Sequence, residues 1–165
     1  MSSPRSTEPR PRRVAVLGST GSIGRQALEV LAAHPDAFDV VALAAGSNGR
    51  LLSEQAARWR PAAVALGAGA VDRDPDLPPG TVLIGGEDAL TELASRDDID
   101  LVVVGTNGIV SLRPVIAALA AGKVVATANK ETLVAGGHLV MPLARELAAT
   151  VGRTTPDDPY ASPLA

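Results

Sequence analysis

Apolar residues come in two rhythms that alternate along the chain. Short unbroken runs at Arg13–Leu17, Phe38–Ala45, Ala63–Leu66, Thr81–Ile84, Leu101–Val104 and Val124–Ala128 predict buried strands. Between them, apolar residues three and four apart predict helices over Ser22–Ala33, Gly49–Trp59, Glu87–Ala94, Leu112–Ala121 and Leu139–Ala149. The punctuation agrees. His34-Pro35-Asp36 ends the first helix because proline cannot continue it, and Gly122 sits in the C-cap position of the fourth. Gly67–Gly80, with Pro75, Pro78 and Pro79, predicts a surface loop. Successive strand–helix–strand units predict an α/β fold: a Rossmann-like, doubly wound, mainly parallel sheet flanked by helices.

The patterned region occupies 12–150 and reads as one dinucleotide-binding domain. Residues 1–11 carry three prolines and two arginines without an apolar core, which predicts a disordered extension rather than a secretory signal. Residues 151–165 carry three prolines and no periodicity, which predicts an irregular tail.

The turn between the first strand and first helix reads Gly18-Ser-Thr-Gly-Ser-Ile-Gly24. Glycines at 18, 21 and 24 let the backbone approach phosphate oxygens with no Cβ in the way. The helix that follows offers free N–H groups and the positive end of its dipole to an anion. Ser19, Thr20 and Ser22 add hydroxyl donors. A tight strand–helix turn that binds nothing would use similar residues, but its place after the first strand of an alternating chain favours a dinucleotide.

Selectivity for NAD normally requires a carboxylate after the second strand, to hold the ribose 2′-hydroxyl. Here Leu43–Arg50 contains none, and the first is Glu54. Ser47 and Asn48 could bond a 2′-phosphate and Arg50 could neutralise it, which points to NADPH. The plainer alternative makes Ser47-Asn48-Gly49 a helix cap. Ala128-Asn-Lys-Glu131 follows the last strand and places an amide, an ammonium and a carboxylate on the ligand side of a parallel sheet. A capped strand–helix junction with solvated charges is the alternative there.

Composition narrows the classes. The chain has 165 residues, no cysteine and a net charge of −3, so thiol chemistry and a nucleic-acid footprint are both excluded. No apolar run reaches the length of a membrane helix.

The glycine turn, Ala45-Gly-Ser-Asn48, Leu112-Arg-Pro114 and Ala128-Asn-Lys-Glu-Thr-Leu-Val134 occur in this order in one family. The chain resembles the N-terminal NADPH-binding domain of 1-deoxy-D-xylulose 5-phosphate reductoisomerase over about Arg12–Leu147. The resemblance implies a cytoplasmic, NADPH-dependent rearrangement and reduction to 2-C-methyl-D-erythritol 4-phosphate, in the non-mevalonate route to isoprenoids. It assigns Thr20, Gly21, Ser22 and Ile23 to the NADPH pyrophosphate, and Gly46, Ser47 and Asn48 to the adenosine end. Asn129 and Glu131 fall on the nicotinamide side, and Lys130 on the phosphorylated sugar substrate. At the Ser47 position the family commonly carries a basic residue.

Family members bind a divalent metal, magnesium or manganese, through a Val-Asp-Ser-Glu-His strand that this sequence does not contain. Asp157 and Asp158 lie outside any such motif, so no metal or catalytic residue is assigned. The expectation is a truncated homologue, inactive alone. The alternatives are a non-catalytic NADP(H)-binding module, or one half of a split enzyme with a separately encoded catalytic chain. A semialdehyde-dehydrogenase-like reading would need a nucleophilic cysteine, which is missing.

Overall fold

The computed structural model describes residues 10–67 and 75–151. Residues 1–9 of the expected N-terminal extension, 152–165 of the expected C-terminal tail, and 68–74 of the Gly67–Gly80 loop lie outside the described residues, whereas Arg10 is held by Asp100 and Val151 ends the last helix. The strands are β1 (Arg12–Leu17), β2 (Phe38–Ala45), β3 (Ala63–Leu66), β4 (Val82–Ile84), β5 (Leu101–Val104) and β6 (Val124–Thr127). The helices are α1 (Ser22–Ala32), α2 (Gly49–Trp59), α3 (Ala89–Ala94), α4 (Leu112–Ala120) and α5 (Lys130–Val151). All strand pairs are parallel and the sheet order is β4-β3-β2-β1-β5-β6. The doubly wound parallel sheet read from the alternation is therefore the architecture.

The unbroken apolar runs follow from burial on both faces. Val14 and Val16 of β1 pack with Leu28 and Leu31 of α1 and with Leu52 and Ala56 of α2. Ala15 and Leu17, alternating with them, face a second layer containing Leu93 of α3, Val115 and Leu119 of α4, and Val140 of α5. One irregularity interrupts the period of two. Val14 pairs with Val40 but Ala15 pairs with Ala42, so Val41 is an extra residue on β2. After this bulge the parity flips: Val40 and Leu43 face the same layer although three residues apart.

Two local elements differ from expectation. The last helix begins at Lys130, nine residues before Leu139, in spite of Gly136, Gly137 and Pro142 within it. Glycine and proline have low helix propensity, which hides the first turns from a sequence reading. Tertiary packing overrides it: Gly136 is buried against the Leu112 side chain, where α5 lies on α4. A 3₁₀ turn at Gly108–Ser111, absent from the predicted elements, leads into α4.

The topology places one crevice. The chain winds outward from β1 to β4, then returns through α3 to β5, which lies on the other side of β1. Helices leaving β1 and β5 therefore diverge to opposite faces, and the gap opens at the carboxyl ends of these two strands.

Candidate dinucleotide site

Four of the loops at the carboxyl edge of the sheet concern the crevice: 18–21 after β1, 46–48 after β2, 105–108 after β5 and 128–129 after β6. The first is the tightest. Gly18 has φ of +76°, and a Cβ there would lie 2.8 Å from the Gly105 carbonyl carbon and the Thr106 nitrogen. At Gly24 a Cβ would strike the Gly18 carbonyl oxygen. Both positions are closed to any larger residue, the first by conformation and the second by contact. The Gly21 N–H donates to the Gly18 carbonyl at 3.0 Å and the Ser19 N–H to the Ala44 carbonyl at 2.8 Å, so the turn is tied to its own start and to β2.

The amino end of α1 is left open by this geometry. Its N-cap is Gly21, no side chain caps it, and its first turn has no acidic residue. The free N–H groups of that turn face the edge where an anion would arrive. Gly21 and Ser22 are exposed there, and Thr20 and Ile23 are half-buried.

Ser19 takes a different part from the one its sequence position suggested. Its hydroxyl is fully buried and donates to Gln55 Oε1 at 2.7 Å, while Gln55 Nε2 donates back to the Ser19 carbonyl at 2.8 Å. The reciprocal pair staples the glycine turn to α2, so Ser19 is withdrawn from any phosphate. Nothing in the local sequence signals this, because the partner is 36 residues away.

After β2, Gly46, Ser47 and Asn48 are exposed. Asn48 Oδ1 accepts from the Leu51 N–H at 3.0 Å and so caps α2. Arg50 reaches Glu54 Oε1 at 3.2 Å with its side chain 91% exposed. An exposed pair of this kind breaks readily in favour of a stronger anion. The nearest carboxylate is thus already partnered, and the loop itself carries none.

After β6, Asn129 is buried and bonded throughout. Its Nδ2 lies 2.9 Å from the Thr106 carbonyl, 2.7 Å from the Gly108 carbonyl and 2.9 Å from Ser111 Oγ. Its Oδ1 accepts from the Thr132 N–H at 3.0 Å, the bond of an N-cap residue. Ser111 Oγ and Thr132 Oγ1, 2.7 Å apart, complete the network. Asn129 therefore ties the loop after β5 to the start of α5. Lys130 and Glu131 stand exposed on the first turn beyond it. Glu131 there is favourably placed against the helix dipole.

The loop after β5 is the part that the motifs did not single out. Gly105-Thr-Asn-Gly108 follows the strand that borders β1, and that adjacency was the available signal. A Cβ on Gly105 would meet the Gly24 nitrogen at 2.9 Å, so β5, β1 and α1 approach each other backbone to backbone. The Thr106 hydroxyl is buried with no hydrogen-bond partner among the described residues.

The strongest electrostatics lie at the opposite edge. Asp100, just before β5, receives the Arg13 N–H at 2.9 Å, Arg13 Nη2 at 2.9 Å and both Arg10 terminal nitrogens at 3.1 Å. The Arg13 hydrogen bonds hold the Asp100 carboxyl well below the usual carboxylate range, against an opposing cost of burial. Arg96 lowers Asp98 in the same way. Asp100 ties the start of β1 to the approach of β5, and Arg96–Asp98 is local to that approach; both lie far from the crevice.

Residues 14–137 match the family described as 1-deoxy-D-xylulose 5-phosphate reductoisomerase. The chain belongs to this family. A reductoisomerase of Nostoc is 45% identical over 139 residues, which is 80% of this chain and 34% of that protein. One from Pelotomaculum thermopropionicum is 46% identical over 144 residues, 85% of this chain and 37% of the relative. The chain thus spans about a third of the length of the curated relatives it matches. Among solved structures, the Zymomonas mobilis reductoisomerase in complex with NADPH superposes with a TM-score of 0.75 at 33% identity, covering 85% of this chain and 38% of that one. A homoserine dehydrogenase of Thiobacillus denitrificans, with a TM-score of 0.56 at 23% identity, shares the fold alone.

The described residues of this edge suit a dinucleotide. Glycines that no Cβ could replace and an uncapped, acid-free helix start suit a pyrophosphate. Among the described residues no group of three or more His, Cys, Asp or Glu could hold a metal ion. Among them, too, no helix is long and apolar enough to cross a membrane.

Proposed function

We propose that the chain binds NADPH along the carboxyl edge of its sheet and acts, in the cytoplasm, as the cofactor-binding part of a reductoisomerase. The observation that carries this reading is the open start of α1 beneath a glycine turn that admits no side chain. Thr20, Gly21, Ser22 and Ile23 hold the pyrophosphate through backbone N–H groups and hydroxyls. Gly46, Ser47 and Asn48 line the adenosine end, where the absence of a carboxylate leaves a 2′-phosphate unopposed. Glu131 serves the nicotinamide side and Lys130 meets the phosphorylated sugar. Asn129 contributes to the nicotinamide side by position, since its amide is committed to the loop after β5.

NADPH supplies the hydride for reduction of the rearranged aldehyde. The described residues bring no set of metal-binding carboxylates to the crevice, so the rearrangement is assigned to groups other than these. A separately encoded catalytic chain is one source of them. The same observation favours, as a second reading, a module that binds NADP(H) without turnover. Fluorescence titration of the purified chain with NADPH, beside NADH, tests the reading. Saturable binding that favours NADPH is the expected result, and a folded chain that binds neither would reject it.

A further inference from the structure

Thr106 follows β5, at the strand end that borders the glycine turn. Its backbone is held from two directions: its nitrogen packs against Gly18, and its carbonyl accepts from Asn129 Nδ2 at 2.9 Å. Its side-chain hydroxyl is buried without a partner among the described residues, while the residue as a whole is half-buried at the mouth of the crevice. An unpaired buried hydroxyl is unfavourable and calls for a reason. Valine would fill the same volume at no such cost. Rotation about χ1 to another staggered well carries Oγ1 out of the interior, and a methyl can take its place.

We propose that Thr106 is a cofactor-binding residue. When a dinucleotide enters, its hydroxyl turns into the crevice and hydrogen-bonds an oxygen of the nicotinamide-nucleotide half. That half is specified by topology. The adenosine loop, 46–48, follows β2 on one side of β1, and Thr106 follows β5 on the other. The inference rests on the reading that the crevice takes NADPH.

The experiment uses the full chain as wild type, Thr106→Val and Thr106→Ser, titrated with NADPH and with 2′,5′-ADP, which carries the adenosine half only. Thermal melts of the free proteins run alongside. Thr106→Val is expected to weaken NADPH binding about five- to tenfold, the worth of one hydrogen bond, and to leave 2′,5′-ADP unchanged. It should melt at or above the wild-type temperature, because it removes an unpaired hydroxyl. Thr106→Ser should keep near wild-type NADPH affinity. Unchanged NADPH binding by Thr106→Val overturns the proposal. So does an equal loss of both probes, or a lowered melting temperature, since each marks a purely structural hydroxyl. If the folded wild type binds neither probe, the dinucleotide reading itself fails, and this inference with it.

Discussion

Asn129 works as a joint at the position proposed for the nicotinamide side. Its amide reaches two backbone carbonyls and a hydroxyl, and its oxygen caps α5. Truncation removes the cap and leaves part-buried acceptors without their donor. Asn129→Ala is therefore expected to cost about 2 kcal/mol in urea denaturation. It should also release the first turn of α5, so Lys130 and Glu131 lose their fixed direction. A variant as stable as wild type would show that the network is dispensable. Ser19 teaches the same lesson in reverse: a hydroxyl inside a phosphate-binding motif is spent on Gln55 instead.

At the scale of elements, α1 separates stability from binding. Its first turn carries no acid, although an acid there would favour the helix dipole by about 0.3–1 kcal/mol. Ser22→Asp supplies that charge at an exposed position. The variant is expected to melt at or slightly above wild type while losing at least about tenfold in NADPH affinity, because a carboxylate then occupies the field meant for phosphate. Melting curves and a titration read the two effects separately. Retained affinity would place the phosphate elsewhere.

Across the whole molecule, the two edges of the sheet divide the work. The carboxyl edge carries open N–H groups and a glycine turn that no side chain could adopt. The amino edge carries the Arg10–Arg13–Asp100 cluster, which joins β1 to the approach of β5. Asp100 titrates below its ordinary value in the folded chain, so its contribution is complete above the unfolded carboxylate range, about pH 4–5. As pH falls from there toward the folded value, that contribution is lost. Asp100→Asn should accordingly lower the melting temperature at neutral pH, with the gap to wild type closing on acidification below about pH 4. NADPH affinity at neutral pH should stay unchanged, because the cluster lies at the far end of the strands. A gap independent of pH would remove the ion pairs from the account.

The chain's own pattern determined the sheet, the order of its elements and the glycine turn, because burial on two faces and close backbone approach leave few residue choices at those positions. Phe38–Ala45, Gly49–Trp59, Ala63–Leu66 and Leu101–Val104 were legible to the residue. Local rules failed where a distant partner decides. The first turns of α5 form over two glycines because Leu112 and the Asn129 network hold them. Val41 is an extra residue only in the pairing of β2 with β1, and Ser19 turns inward because Gln55 lies over it. Thr106 carried no motif, and only its position between Gly18 and Asn129 gives its hydroxyl a meaning. Sequence thus pointed to the carboxyl edge of the sheet, where the proposed dinucleotide would lie. Tertiary structure decided which of that edge's polar groups are free to bind it, because a hydrogen bond already made inside the protein is no longer available to a ligand.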